Sequence, residues 1–374
     1  MMIPLGPYFL AFILSSGLVL FLARLAPRWG LVDSPVGRKI HDGDVPLVGG
    51  IAIYLSFVIV TQFSGLMSMA WNLLVPTGVL VIVGVLDDLF ECRARTKFAG
   101  QACAVLLMIG LGQVVLIDLG SLVAGGNLEL GALSVPFTFI CVIGLINALN
   151  FSDGADGLAG GIGVIALVWF AVLAGFAGNT SYLTLAVLFA CSTLGFLIFN
   201  IRHRWQARAR VFMGDAGSMM LGMVLAAFAI SLSQGKQAVF PPIVAVWILG
   251  LPLLDTVSIM VRRMLRGKSP FTGDRAHLHH VLLDMGLSIP RMVVVMWVIA
   301  AVIGGAGVAA WQIGVSERVL FVAFLALFVA YGIGISYARS ILRRSRVFSS
   351  TVSAGALITC PAEEFAGLDG SELK

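Results

Sequence analysis

The stretch AGGIGVIALVWFAVLAGFAGNTSYLTLAVLFACSTLGFLIFN, residues 159–200, decides the fold class of this chain. It contains no charged side chain, and the polar residues Asn179 and Thr180 divide it into two apolar segments. Each segment is close to the ~20 residues that an α-helix needs to cross a bilayer. The stretch therefore predicts two neighbouring membrane-spanning helices, over 159–178 and 181–200.

The whole chain shares this apolar character. Of its 374 residues, 59% are hydrophobic and 11% are charged, and the mean hydropathy is +1.01. A soluble domain carries about 25% charged and roughly 45–50% apolar residues. We therefore predict an all-α polytopic membrane protein, with a membrane domain over 1–344 and a cytoplasmic, disordered tail over 345–374. The net charge of +5 is attributed to membrane orientation, so no nucleic-acid partner is expected.

Further apolar segments bring the predicted number of transmembrane helices to about eleven. Glycine and proline recur within them, which membrane helices tolerate where neighbours satisfy the backbone. The predicted spans are 3–26, 48–67, 69–87, 98–118, 135–151, 159–178, 181–200, 216–234, 239–261, 291–313 and 318–341.

Lysine and arginine residues are concentrated on one side of these spans. They follow the first, third, seventh and ninth spans and occur again in the tail, whereas the opposite side has little beyond Lys236 and Arg318. The positive-inside rule makes the basic loops cytoplasmic. We therefore predict an external N-terminus and a cytoplasmic C-terminus in the cytoplasmic (inner) membrane.

Carboxylates and histidines are sorted to the same side. Only Asp118, Glu129 and Glu317 are predicted on the external face, Asp255 lies within the ninth span, and all five histidines fall in cytoplasmic loops. Polar groups are costly near lipid and often functional there, although Asp255 could simply pair with a neighbouring arginine. The sorting predicts one site that faces the cytosol.

Two adjacent acids, Asp87 and Asp88, end the third predicted span in the sequence VGVLDDLF. Such a pair can attract a divalent cation, or one member can act as a base. The alternative is a polar end to a hydrophobic helix. Lys97, just before the fourth span, is a further candidate for phosphate binding.

The segment NALNFSDGADG, Asn147–Gly157, is richer in polar groups. Asn147 and Asn150 are about one helical turn apart, as are Asp153 and Asp156. Amide and carboxylate oxygens suit Mg²⁺, which shares its coordination with substrate phosphates. A polar turn between helices is the alternative.

VFMGDAGS, residues 211–218, places Asp215 directly before the eighth span. Asp215 is a candidate for a second metal ligand, and Phe212 is a candidate to stack on a planar base. An ordinary helix N-cap is the alternative for Asp215.

The loop RRMLRGKSPFTGDRAHLHH, residues 262–280, combines basic residues with three histidines. Arginine binds phosphoryl oxygens, and histidine donates hydrogen bonds or acts as acid or base. Zinc is a competing interpretation because two of the histidines are three residues apart, but no further ligand set is obvious in the cytoplasmic loops. Incidental positive-inside charge is the other alternative. The candidates in this loop are Arg263, Arg275, His277, His279 and His280.

The first cytoplasmic loop, DSPVGRKIHDGDVPLVGG over 33–50, offers Arg38, Lys39 and His41 between turn-forming residues. These side chains are candidates for phosphate binding. A basic connector between helices is the alternative.

Taken in order, these segments resemble the polyprenyl-phosphate N-acetylhexosamine-1-phosphate transferases, glycosyltransferase family 4. The matching pieces are DSPVGRKIH with PLVGG, the Asp87–Asp88 pair, NALNFSDGADGL, VFMGDAGS and DRAHLHH. The loop PFTGDRAHLHH resembles the branch that transfers N-acetylglucosamine 1-phosphate. The branch that transfers phospho-MurNAc-pentapeptide typically has three consecutive histidines, and here Leu278 interrupts that run.

The resemblance implies transfer of a sugar 1-phosphate from a UDP-N-acetylhexosamine to undecaprenyl phosphate, with Mg²⁺ or Mn²⁺ as cofactor and often as a homodimer. It implies metal ligation by Asp215 and Asn150 and uracil stacking on Phe212. The other implied roles are catalytic for Asp87, Asp88, Asp153, Asp156 and His277, and substrate or phosphate binding for Lys97, Arg263, His279 and His280.

Two other functions remain open at this point. A membrane transporter would bind its substrate near the bilayer midplane on broken helices, whereas here only Asp255 lies deep in a span. A transferase for another N-acetylated sugar, including phospho-MurNAc-pentapeptide, is the alternative enzyme.

Overall fold

The computed structural model describes residues 5–34, 43–124, 126–269 and 277–358. These parts of the chain form α-helices, with strands β1 and β2 paired antiparallel. The connection between α4 and α5 is longer than most and ends in a short 3-10 helix, Gly131–Leu133. In chain order the elements are α1 Gly6–Trp29, β1 Val32–Asp33, β2 Val45–Pro46, α2 Gly49–Phe63, α3 Met67–Phe90, α4 Ala94–Gly112, α5 Ser134–Ser152, α6 Leu158–Phe176, α7 Thr180–Asn200, α8 Gly214–Ser233, α9 Pro242–Ile248, α10 Gly250–Met264, α11 Leu278–Asp284, α12 Ile289–Gln312 and α13 Glu317–Ile358.

Within these described ranges, eight helices are long and apolar enough to cross a membrane. They are α1, α3, α5, α6, α7, α8, α12 and the Glu317–Leu342 part of α13. The chain is therefore a helical, polytopic membrane protein, as its composition predicts. The predicted count of eleven spans stays a prediction, although a helix lies at each of the eleven predicted positions.

At two of those positions the apolar part of the helix is shorter than a membrane span requires. With 15 residues, α2 extends about 22 Å at ~1.5 Å per residue, less than the ~30 Å hydrocarbon core. In α4 the first two turns carry Arg95, Lys97 and Gln101, so its apolar part is shorter than the helix.

The predicted span over 239–261 is not one straight helix. It consists of α9 and α10, which are bent by 83° at the break between them. Pro252 has no backbone N–H, so it cannot bond to the carbonyl of Ile248 four residues earlier. The break reorients α10 and thereby the side chains near its end.

The centre of the molecule is α8, which is almost wholly buried. It packs against α2, α3 and α5. Gly50 of α2 and Gly217 of α8 let these two helices approach closely, because a Cβ on either glycine would collide with the backbone of the other. Small residues permit such contacts between membrane helices. The first turn of α8 is consequently fixed beside the ends of α3 and α5.

The last helix, α13, continues beyond its apolar part to Ile358. It is therefore helical over 345–358, the beginning of the segment predicted as a disordered tail. Residues 359–374 lie outside the described residues, and the cytoplasmic position of the tail stays a prediction.

Candidate active site

A cleft of about 1160 Å³ opens where the end of α3, the α5–α6 connection and the start of α8 meet. The β1 strand and the residues after it form part of its wall. It brings together side chains from separate sequence motifs. The predicted site residues that line it are Asp87, Asp88, Asn150, Asp153, Asp156, Phe212 and Asp215.

Lys97 connects two of these acids, although they are far apart in sequence. Its ammonium nitrogen Nζ donates to Oδ2 of Asp87 at 3.0 Å and also pairs with Oδ2 of Asp215. The other oxygen of Asp215, Oδ1, accepts from Nδ2 of Asn150 at 3.0 Å. The ends of α3 and α5 and the starts of α4 and α8 thus meet in one charged cluster.

Asp88 points to the start of α8 instead. Its Oδ1 accepts from the backbone N–H of Asp215 at 3.0 Å and its Oδ2 from that of Ala216 at 3.5 Å. A carboxylate that accepts from the first N–H groups of a helix acts as its cap and favours the positive end of the helix dipole. Gly214 makes room for it, since it has φ +72° and a Cβ there would lie 2.5 Å from Oδ2 of Asp88.

The α5–α6 connection carries two further acids. Burial raises the pKa of the Asp153 carboxyl well above its usual range, and the nearby charge of Asp215 raises it further. Asp156 is paired with the guanidinium of Arg202 and also accepts from the backbone N–H of Ala209. Asp153 is therefore the acid that burial biases toward its neutral form, whereas Asp156 has a cationic partner.

Asn200 and Arg202 are site residues that sequence reasoning missed. The side chain of Asn200 accepts from the N–H of Gly157 at 2.7 Å and donates to the carbonyl of Val211 at 2.9 Å. It thereby joins the NALNFSDGADG and VFMGDAGS segments. The position of Asn200 at the end of an apolar span, like that of Asn150, could have indicated its role. Arg202 follows the seventh predicted span, where its charge is explained by membrane orientation alone.

A second cluster lies behind the cleft, where α10, α11 and α13 meet. His277 bonds through Nδ1 to Oδ2 of Asp255 at 2.8 Å. His279 is 2% exposed, and its Nε2 lies where a Cβ on the cleft residue Gly154 would come within 2.9 Å. Burial lowers the pKa of His279 to about 3, with a smaller contribution from the neighbouring His280. His279 therefore reaches the cleft wall at Gly154.

Three other predicted site residues lie near the cleft but do not line it. Asn147 exchanges hydrogen bonds with Gln101, at 3.0 Å and 3.4 Å, one turn away from the cleft. Arg263 is a buried residue in the last turn of α10, and the ring of His280 lies 4.1 Å from that of His279. None of these three is among the described residues that line the cleft.

Arg38, Lys39, His41 and Arg275 lie outside the described residues. The described residues on both sides of the first loop are close to the cleft. Asp33 and Ser34 line it, and the carbonyl of Pro46 accepts from the N–H of Phe212 at 2.9 Å.

The donor set of the cleft fits a divalent cation that is shared with a substrate. Seven carboxylate residues and no basic residue occur among the described residues that line it, so an anionic ligand needs added positive charge. Asp215 and Asn150 offer oxygen ligands, and Mg²⁺ commonly takes one or two carboxylates and completes its shell with water and phosphate. Among the described residues, no three His, Cys, Asp or Glu side chains are placed together to hold a metal ion.

Comparison with known proteins gives a consistent result. A family model described as glycosyl transferase family 4 matches residues 70–233. The chain is 35% identical, over 336 residues, to the undecaprenyl-phosphate alpha-N-acetylglucosaminyl 1-phosphate transferase of Escherichia coli (strain K12), covering 88% of this chain and 90% of that protein. It is 33% identical, over 296 residues, to a probable undecaprenyl-phosphate N-acetylglucosaminyl 1-phosphate transferase of Bacillus subtilis (strain 168), covering 77% and 81%.

Proposed function

The chain belongs to glycosyl transferase family 4, and from this membership we propose that it transfers N-acetylglucosamine 1-phosphate from UDP-N-acetylglucosamine to undecaprenyl phosphate. An oxygen of the lipid phosphate attacks the sugar-bearing phosphorus of the donor. The bond from that phosphorus to the bridging oxygen breaks, and UMP leaves. The product is a lipid-linked sugar diphosphate suited to the synthesis of a cell-surface polysaccharide.

The observation that carries this proposal is the convergence of Asp87, Asn150 and Asp215 on one cleft, with Lys97 joining the two acids. These residues come from four helices. Phosphoryl transfer needs positioning and neutralisation of charge more than covalent participation by the protein. The cleft provides oxygen ligands for a cation, and the ammonium group beside it bridges two of its acids, so the site meets both needs.

Asp87 is the acid best placed to act on the acceptor. It pairs with Lys97 and, unlike Asp88, has no cap hydrogen bond to the start of α8 among the described contacts. A phosphate monoester has a second pKa near 6, so the acceptor is largely dianionic at neutral pH. Asp87 therefore contributes mainly by orienting the acceptor phosphate and accepting its residual proton.

Mg²⁺ or Mn²⁺, held by Asp215 and Asn150, would supply positive charge that offsets the diphosphate. Lys97 would exchange part of its contact with Asp215 for phosphoryl oxygen. Asp88 holds the N–H groups of Asp215 and Ala216, and so fixes the direction of the Asp215 side chain. Phe212 lines the same cleft and offers an aromatic face for uracil.

The acceptor requires this site to lie where lipid head groups meet the cytosol. The donor is water-soluble, whereas the polyprenyl tail stays in the bilayer. The basic loops predicted to be cytoplasmic include Arg202, which pairs with the cleft residue Asp156. This supports a cytosolic active site in the inner membrane. The family resemblance further suggests a homodimer, which the mass of the protein–detergent complex would test.

The direct test is release of UMP by the purified protein from UDP-N-acetylglucosamine, undecaprenyl phosphate and Mg²⁺. We expect release that requires all three components, and release that is slower by about 1000-fold in the Asp215→Asn variant. Asp118→Asn, on the side predicted to be external, is the matched control. Release only with UDP-MurNAc-pentapeptide or another N-acetylated donor would reject this sugar while retaining the family. Substrate uptake into liposomes without any UMP would contradict phosphotransfer and favour a transporter.

A further inference from the structure

A hydrogen-bond network centred on Asp255 joins three helices behind the cleft. Asp255 lies in α10 and is 3% exposed. Its Oδ2 bonds to Nδ1 of His277 at 2.8 Å. Its Oδ1 accepts from the backbone N–H of Leu278 at 2.9 Å and from the hydroxyl of Tyr331, in α13, at 2.7 Å. One carboxylate therefore fixes a histidine side chain, the first turn of α11 and a side chain of α13.

This arrangement determines which nitrogen of His277 carries a proton. An ionised carboxylate only accepts hydrogen bonds, so Nδ1–H of His277 is the donor. The nitrogen that Asp255 does not engage is Nε2. It holds either a lone pair or, in the imidazolium form, a second N–H that can donate to an anion.

His277 is close enough to the cleft for its orientation to matter. Its ring lies 5.6 Å from the ring of His279, at an interplanar angle of 14°. His279 in turn lies against Gly154, which lines the cleft. On its other side the ring of His277 is 6.0 Å from that of Phe151. The ring of His277 therefore lies between two aromatic rings. The hydrogen bond to Asp255 restricts its rotation within that space.

A purely structural role explains this network poorly. A buried carboxylate within a membrane helix is costly, and an apolar residue of similar volume often stabilises as well or better than a buried charged pair. Asp255 instead accepts three hydrogen bonds, one of them from His277 just before α11. This pattern matches a residue that sets the orientation of another side chain, here His277. Tyr331 occupies a lone pair of Oδ1 and keeps the carboxylate from rotating.

We propose that Asp255 and Tyr331 are positioning residues that hold His277 with Nδ1 protonated, which leaves Nε2 to engage the phosphoryl oxygens of the transferred group. This inference rests on the proposed function. It assigns a role in phosphotransfer to a side chain of α13, a helix that contributes no described residue to the cleft wall. His277 acts on the substrate, and the other two residues act only through it.

A double-mutant cycle on Tyr331 and His277 tests this inference. Tyr331→Phe removes one oxygen, and we expect kcat to fall about tenfold, the effect of one hydrogen bond to a charged group. The KM for the UDP-sugar should change by less than about twofold, because a contact that strengthens in the transition state affects kcat. In a His277→Ala background the same substitution should lower kcat by less than about twofold, because residues that act as a unit are not additive.

The exposed tyrosine Tyr337 of the same helix provides the control, and Tyr337→Phe should match the parent. An equal tenfold loss from Tyr331→Phe in both backgrounds would show a structural role and overturn the proposal. So would an unchanged kcat in the parent background. Turnover by the unmodified protein tests the proposed function separately, because the cycle is measured with whichever donor the parent uses.

A spectroscopic measurement keeps the inference testable if His277→Ala is too slow to assay. The chain has five histidines, so ¹⁵N-histidine labelling gives few signals, and the signal lost in His277→Ala is assigned to His277. We expect protonated Nδ1 for His277 in the parent, and loss of that form in Asp255→Leu, which has no acceptor for Nδ1–H. A His277 signal that is identical in the parent and in Asp255→Leu would overturn the proposal.

Discussion

The acidic cleft and the histidine cluster behind it are built in different ways. The acids of the cleft lie at the ends of α3, α5 and α8, and α8 is the most buried helix of the described chain. His277 immediately precedes α11, a helix of seven residues that carries His279 and His280 and packs against α12 and α13. The acids are therefore supported by the central core, whereas the histidines are held by a smaller apolar cluster between α11 and α12 and by the hydrogen bonds to Asp255.

The family model matches residues 70–233, which include Asp87, Asn150 and Asp215. The 336-residue match to the Escherichia coli relative covers 88% of the chain and so includes His277 as well. A cleft fixed by close helix packing has little freedom to vary, because side chains in a packed core resist displacement. The histidine cluster touches this cleft, because His279 lies against Gly154 and α10 packs against α5. In the proposed function the acids bind the cation and orient the acceptor phosphate, and the histidines hold the phosphates of the transferred group.

The largest expected effect falls on Asp215. Asp215→Asn removes the charge that pairs with Lys97 and one of the two oxygen ligands proposed for the cation. We expect kcat/KM to fall about 1000-fold, corresponding to ~4 kcal/mol of lost transition-state stabilisation. The Mg²⁺ concentration that gives half-maximal activity should rise in the same variant. An unchanged Mg²⁺ dependence would show that Asp215 does not bind the cation, and the cleft would then lose its proposed role as the cation site.

Asp87 and Asp88 should differ despite their adjacency. Asp87→Asn removes the charge beside the acceptor, and we expect a loss of about 100-fold in kcat at pH 7. Asp88→Asn keeps an oxygen that can cap α8, and asparagine is about as good a cap as aspartate, so about tenfold is expected. Steady-state kinetics at pH 7 and pH 8 would measure both. Full turnover of Asp87→Asn at pH 8 would exclude Asp87 as the base, and equal losses would contradict the separate roles.

Much of this division could be predicted from the sequence, and some could not. Apolar segments and turn residues placed helices at all eleven predicted positions, because length and hydrophobicity are local properties. The break between α9 and α10 was missed, since a proline such as Pro252 in a membrane helix produces a kink or a break according to its neighbours. The motif acids were recognisable by type, and the structure brings Asp87, Asp153 and Asp215 to one cleft.

The pairing of those acids needed the fold. Lys97 and Asp215 are 118 positions apart in sequence, and nothing local indicates that their side chains meet. The different directions of Asp87 and Asp88 follow from helix geometry, in which adjacent residues point about 100° apart. Asp255 was recognised as an unusual intramembrane acid, but its partners Tyr331 and His277 come from separate helices. Tertiary contacts between charged or polar groups were thus the part that sequence patterns did not contain.

The smallest expected effect is a pH-dependent change in thermal stability caused by His279 of the histidine cluster. His279 has a folded-state pKa of about 3, against about 6.5 for an unfolded chain. Between these values the unfolded state binds a proton that the folded state does not, so stability decreases as pH falls below about 6.5. Thermal unfolding of the parent should therefore shift to lower temperature between pH 7.5 and pH 5.5. His279→Asn, which cannot take up this proton, should show a smaller shift.

His203, in the exposed turn after α7, provides the matched control, and His203→Asn should shift with pH as the parent does. A shift in His279→Asn as large as in the parent would mean that His279 is accessible to protons in the folded state. That result would contradict its tight enclosure beside Gly154. It would also make the histidine cluster a solvated part of the cleft, so that the two regions would no longer differ in the way their geometry indicates.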